Sequence, residues 1–251
     1  MIDVVVDLGN TRLKWGLVSP DGAIVGMAAL PVDDPTSWRS AFAAAGVDRQ
    51  PSRWAVGSVN PAALATLQAT VASWPVRHFL GYQRASQVPQ PHRLASPDRT
   101  GADRALGVFA ARGLVPPGAA FQVVSCGSAI TVDLVDGGGT WRGGAIAPGL
   151  PLASRALHQM TAQLPLVAMA EAPPSATGDS TVPAIRAGLL WGLVGSAREI
   201  LARQAVEIES EPHVLWTGGD AGRIAPWIAG ETARIIPDLV LRGLARLAIV
   251  P

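Results

Sequence analysis

The densest run of residues able to do chemistry is Asp7-Leu8-Gly9-Asn10-Thr11-Arg12-Leu13-Lys14. A glycine in a tight turn lets backbone N–H groups face outward with no Cβ in the way. Such a concavity binds phosphate oxygens, and Asn10 and Thr11 can add side-chain donors. Asp7 is suited to hold a hydrated Mg²⁺ on nucleotide phosphates. Lys14 can neutralise phosphate charge, and it is the only lysine, the other basic residues being arginine. The same residues equally satisfy an ordinary hairpin turn. No GxxxxGK[ST] loop occurs anywhere in the chain.

Two further segments have comparable character. Gly127-Ser128-Ala-Ile-Thr131-Val-Asp133 joins a glycine turn to small hydroxyl side chains, suiting either a second phosphate hairpin or a tight turn between core strands. Asp98-Arg-Thr-Gly101-Ala102-Asp103-Arg104 enters a helix. A carboxylate at Asp103 can act as a general base toward a hydroxyl, and Arg104 offers a planar, multiply donating partner for a carboxylate or amide. An acidic residue in a first helical turn also simply complements the helix dipole. Gly143 to Gly149 and Trp216-Thr-Gly-Gly-Asp220 are glycine-rich and fit close approach of a ligand or a loop shaped by φ alone.

Composition narrows the functional classes. The formal charge of +1, from 20 basic and 19 acidic side chains, gives no nucleic-acid footprint. One cysteine, Cys126, excludes an internal disulfide and a cysteine-based zinc site, and the four histidines lack metal-ligand spacing. No apolar run approaches the roughly 18 residues of a membrane span. Met1 leads straight into an apolar strand without a basic leader, so a cytoplasmic protein is expected.

The elements that must position these residues follow from periodicity. Ile2–Asp7 and Leu13–Val18 read as a hairpin, Ala23–Leu30 as a third strand, and Arg53–Val59 and Val76–Leu80 as further strands. Helices are expected over 35–45, 61–73 and 102–112, with a proline-rich loop over 86–100. The pattern then restarts with a hairpin over 122–135, closed by Asp136 to Thr140. Val5, Val6, Asp7, Gly9 and Asn10 recur as Val123, Val124, Ser125, Gly127 and Ser128, at a constant offset of 118 residues. This reads as duplication. Helices over 151–160, 180–207, 221–229 and 239–248, and strands over 214–217 and 233–236, complete the second half. Two α/β lobes are expected, 1–115 and 116–251, joined at Gly113 to Ala119.

Taken together and in this order, the segments resemble the type III pantothenate kinase family, within the acetate and sugar kinase/actin/heat-shock ATPase superfamily. DLGNTRLKWG resembles its first phosphate motif, D-x-G-N-T-x-x-K. GADR resembles its substrate and catalytic motif, and Gly127 to Asp133 its second phosphate motif. GGAIAPG, STVPAIRAG, TGG and PDLVLRGL resemble later segments. The resemblance implies a duplicated ribonuclease-H-like, actin-like ATPase fold, two lobes with ATP in a central cleft. It implies transfer of the γ-phosphoryl of ATP·Mg²⁺ to the primary hydroxyl of pantothenate, the first step of coenzyme A synthesis. Asp103 would be the base, with Gly101, Ala102, Arg104 and Thr181 holding pantothenate. Asp7, Leu8, Gly9, Asn10, Thr11, Arg12, Leu13, Lys14 and Ser128 would hold ATP. Homodimers are implied. At Ser125 the family usually has an aspartate that binds a monovalent cation, K⁺ or NH₄⁺, and a serine there is a neutral, weaker ligand. A kinase for another small hydroxylated substrate, or a regulatory accessory factor, are the alternative readings.

Overall fold

The computed structural model describes residues 2–208 and 211–249. The chain divides into two compact units. One comprises the residues up to Leu114 and those from Asp238 on, and the other is Val115–Pro237.

In the first unit, β1 (Ile2–Leu8), β2 (Arg12–Val18), β3 (Ile24–Pro31), β4 (Ser52–Ser58) and β5 (Val76–Tyr82) form a sheet of order β3-β2-β1-β4-β5. β1 pairs antiparallel with β2 and parallel with β4, and β5 continues the parallel half. Two-residue periodicity sets the faces. Val4, Val6 and Leu8 join Leu13, Trp15, Trp54 and Val56 in one core, covered by α1 (Pro35–Ala44) and α2 (Pro61–Val71). Phe42 of α1 sits edge-on to Trp15 and Trp54, with ring centroids 4.8 and 5.1 Å away. Both helices start on a side-chain cap followed by proline: Asp34 accepts from Ser37 N and Asn60 from Ala63 N, each at 3.1 Å.

The opposite face carries α3 (Ala102–Ala111) and α8 (Leu239–Ile249). Here the structure departs from the expected boundary. The second lobe stops at Pro237, not residue 251, because α8 packs against α3, β1 and β4 of the first unit. Glycine makes this fit possible: a Cβ on Gly243 would lie 2.4 Å from the Leu106 carbonyl oxygen.

The second unit repeats the plan. β6 (Phe121–Cys126), β7 (Ala129–Val135), β8 (Trp141–Pro148), β9 (His213–Thr217) and β10 (Arg234–Ile235) are ordered β10-β9-β6-β7-β8. Pairing is antiparallel through β6, β7 and β8 and parallel through β6, β9 and β10. This is the first sheet's order and sense, strand for strand. Val124, Cys126, Ile130, Val132 and Trp216 form a core with α4 (Leu150–Met160) and the 27-residue α5 (Thr181–Glu207). A buried amide pair ties α5 to the sheet: Gln122 donates to Gln204 Oε1 at 3.0 Å, and Gln204 donates to the Val132 carbonyl at 2.9 Å.

Two local expectations change. Residues 143–149 are mostly the edge strand β8, not a loop. The glycine at 144 answers to a neighbouring strand, since a Cβ there would lie 2.2 Å from the Val132 carbonyl oxygen. The helix expected over 221–229 is two four-residue turns, α6 (Ala221–Ile224) and α7 (Pro226–Ala229), because Pro226 has no N–H to continue the ladder. No described helix is long and apolar enough to cross a membrane.

Substituting Gly243→Ala should separate α8 from α3 and lower unfolding free energy by about 1–3 kcal/mol, read from urea denaturation. Gly188→Ala, at an exposed α5 position with open space, should be neutral or stabilising by roughly 0.5–1 kcal/mol.

Candidate active site

The β1–β2 hairpin sets Asp7 directly opposite Lys14, and β4 sets Gly57 on the other side of Asp7. Opposed residues share a face, so these positions form one row across three strands. They face α3 and α8, away from the aromatic core, since a Cβ on Gly57 would press on Leu106 and Leu244. The absent side chain at Gly57 therefore lets α3 approach the sheet beside Asp7. The turn itself is closed by a hydrogen bond from Gly9 N to the Arg12 carbonyl at 3.0 Å, with Asn10, Thr11 and Arg12 exposed.

α3 delivers the GADR segment to this row. The preceding loop is closed at its base, where Ala85 N donates to the Thr100 carbonyl at 2.8 Å and Ala102 N to the Gln83 carbonyl at 3.3 Å. Inside it, Ser86 donates to Asp98 Oδ1 at 2.6 Å. Gly101 caps α3 and needs its missing Cβ, which would lie 2.6 Å from Asp103 Oδ1 and 3.0 Å from Val59. Val59 in turn donates through its N–H to the Leu8 carbonyl at 3.2 Å. Asp103 thus stands in the first turn of α3, and its Oδ1 accepts from the Arg104 N–H at 2.8 Å. The dipole-complementing role expected of such a residue is fulfilled, and the carboxylate is nonetheless held at the end of β1.

Electrostatics couple the two carboxylates. Burial pushes the Asp7 carboxyl up to about 7, against the pull of Lys14 and with a further upward push from Asp103. Asp103 is also raised, chiefly by burial, while Arg104 and the helix N–H groups draw it down. A hydrated Mg²⁺ fits this donor set: Asp7 is a partly accessible carboxylate at a strand end beside a phosphate-type turn.

In the second unit, Gly127 N donates to the Ala129 carbonyl at 3.0 Å, and the turn holds Ser128. Gly149 supports it from beneath, its N–H donating to the Ser128 carbonyl at 3.0 Å and its missing Cβ sparing a 2.1 Å clash with Gly127 O. Ser125 lies opposite Thr131 on β7 and Thr217 on β9. Gly218, at φ +95°, folds over Cys126, and a Cβ there would lie 2.2 Å from the Cys126 carbonyl oxygen. Burial pushes the Cys126 thiol up to about 12, which leaves it a packing residue. Thr181 stands exposed at the start of α5, on a separate element.

Within the first unit the structure therefore gathers Asp7 to Lys14 with Gly101, Ala102, Asp103 and Arg104. Ser125 and Ser128 share the second hairpin. Gly57 escaped sequence reasoning, whereas Thr217 and Gly149 fall in the glycine-rich segments singled out for close ligand approach. Gly57 is marked only by the pairing of β4 with β1, which sets it beside Asp7.

The type III pantothenate kinase family model matches residues 4–203. The chain belongs to the type III pantothenate kinase family. It is 38% identical over 254 residues to a type III pantothenate kinase from Alkalilimnicola ehrlichii, covering 98% of this chain and 97% of that one. It is 34% identical over 262 residues to one from Acidiphilium cryptum, covering 98% and 94%. Among solved structures, an archaeal actin homolog superposes with a TM-score of 0.53 at 12% identity over 99% of both chains. A Campylobacter jejuni protein assigned to the Baf family of transcriptional activators gives 0.62 at 16% identity, covering 97% and 96%. At those identities the likeness establishes an actin-like ATPase fold, which the two matching sheets bear out.

The pH dependence of stability follows from Asp7. Its folded value of about 7 lies above the 3.8 of a free carboxyl, so ionising the folded protein carries a cost absent at low pH and complete above about pH 7. Asp7→Asn should then be more stable than the parent at pH 8 by on the order of 4 kcal/mol. The two should coincide near pH 4, as read from melting curves across pH. A constant difference at all pH values would show that Asp7 is not desolvated.

Proposed function

We propose that this chain transfers the γ-phosphoryl group of ATP to the primary hydroxyl of pantothenate, the first step of coenzyme A synthesis. The single observation that carries the proposal is the meeting of the GADR carboxylate with the Asp7/Lys14 row in a chain of this family. The named relatives are pantothenate kinases over nearly their full length, which supports the choice of substrate.

Phosphoryl transfer asks a protein for in-line positioning and charge neutralisation more than for covalent chemistry. The glycine turn of residues 7–14 presents N–H groups and the Asn10 and Thr11 side chains to phosphate oxygens, and Lys14 offsets their charge. In the second unit, Ser128 carries a hydroxyl able to donate to a phosphate oxygen. Asp7 would hold Mg²⁺ through water, and the ion would supply charge neutralisation for the phosphates. Asp103 accepts the hydroxyl proton as the new O–P bond forms and the bond from the γ-phosphorus to the β-phosphate oxygen breaks, releasing ADP. Its desolvation makes it a better base than a solvated carboxylate. Gly101, Ala102, Arg104 and Thr181 would orient pantothenate, Arg104 through charge-assisted hydrogen bonds. The family reading also implies a homodimer acting in the cytoplasm.

Asp103→Asn keeps the oxygen that caps Arg104 N–H, so the helix start survives while the base is lost. Turnover should fall by a factor on the order of 10²–10⁴ with a melting temperature no lower than the parent's. ADP release should also require pantothenate. Near-normal turnover in the variant, or ADP formation indifferent to pantothenate, would remove this mechanism.

A further inference from the structure

The two sheets repeat one another, but their central rows differ in charge. In the first, Lys14, Asp7 and Gly57 stand side by side. The corresponding positions in the second are Thr131, Ser125 and Thr217. Three hydroxyls therefore lie on one face of three adjacent strands, roughly one strand spacing (about 4.8 Å) apart. The Thr131 hydroxyl oxygen is buried with no hydrogen-bond partner, and Thr217 is buried as well. A buried donor left unpaired is unfavourable, so an acceptor brought to this row is favoured.

The row has no carboxylate of its own. Asp133, two residues along β7 on the same face, is buried and accepts from Trp141 Nε1 at 3.1 Å. Asp220, beyond β9, has Arg223 at 3.9 Å. Among the described residues no group of three His, Cys, Asp or Glu side chains gathers for a metal. The monovalent cation implied by the family resemblance would rest on a carboxylate at position 125, where Ser125 offers only a neutral hydroxyl, a weaker ligand. Hydroxyls do fit a phosphate: each can donate one proton directly to an anionic oxygen.

Resting on the phosphoryl-transfer reading above, we infer that this chain works without a monovalent cation, the Ser125–Thr131–Thr217 hydroxyl row donating directly to nucleotide phosphate oxygens. Thr131 and Thr217 thereby become nucleotide-binding residues.

The test is ADP formation by the purified full chain with ATP, Mg²⁺ and pantothenate, in tetramethylammonium, potassium or ammonium chloride at equal ionic strength. Rates should agree within about twofold, and activation by K⁺ or NH₄⁺ of about tenfold or more overturns the inference. Thr131→Val, close in shape but without the hydroxyl, should raise KM for ATP about five- to tenfold and leave KM for pantothenate unchanged, with Thr131→Ser restoring it. An unchanged KM for ATP in Thr131→Val, or equal rises for both substrates, overturns the direct hydroxyl contact. Ser125→Asp should lower the rate in tetramethylammonium and make it respond to K⁺. A variant equally slow in every salt counts against the row meeting phosphate. If the chain makes no ADP in any salt, the reaction reading fails separately. Calorimetric binding of a non-hydrolysable ATP analogue with Mg²⁺ then decides the inference, with equal affinity in the three salts supporting it and K⁺-dependent affinity overturning it.

Discussion

Everything at the site depends on the register of β1. Its neighbours, antiparallel on one side and parallel on the other, occupy the backbone hydrogen-bonding groups along both edges. Alternation then sends Val4, Val6 and Leu8 into the aromatic core and leaves Asp7 on the face of α3 and α8. A slip of one residue would drive a carboxylate between Trp15 and Trp54 and expel three aliphatic side chains. The apolar face is thus what aims the polar one. The fully buried Trp38, Phe42 and Trp54, none of which touches the chemistry, hold that aim.

The duplication is more exact in the backbone than in the side chains. Asp7 pairs with Lys14 and Ser125 with Thr131, so the offset is 118 residues on the first strand of the hairpin and 117 on the second. The second turn is one residue shorter, and its Gly127 N–H reaches Ala129 where Gly9 N–H reaches Arg12. Two hairpins of the same descent have kept their glycine hinge and diverged in electrostatics. One carries an opposed acid and base, and the other carries hydroxyls alone.

Much of this was legible in the sequence because the relevant signals are local. β-branched runs, proline after Asp34 and Asn60, and the recurring glycine turn mark strands, helix starts and hairpins through physics acting within a few residues. Asp103 was legible as a candidate through its place at a helix start. Its nearness to Asp7 was not, because that depends on Gly57 making room for Leu106 across 49 positions of chain. β8 was missed because its glycines read as loop formers, whereas they serve a neighbouring strand's carbonyl groups. Thr217 was marked only as part of a glycine-rich segment, since a threonine in a strand is ordinary until pairing sets it beside Ser125. The boundary at Pro237 was invisible because α8 is an amphipathic helix like any other, and nothing in its own residues names the sheet it covers.

That last helix has a consequence for how the molecule is made. Val115–Pro237 is an insertion within the first unit, so synthesis delivers all of the second sheet before the segment that closes the first. Until Leu244 arrives, the surface over Gly57 lacks one of its two apolar covers, and α3 has no partner in the groove at Gly243. The half bearing Asp7 and Asp103 is the first begun and the last completed. The second unit's sheet is therefore synthesised while Asp7 and Asp103 still lack part of their scaffold.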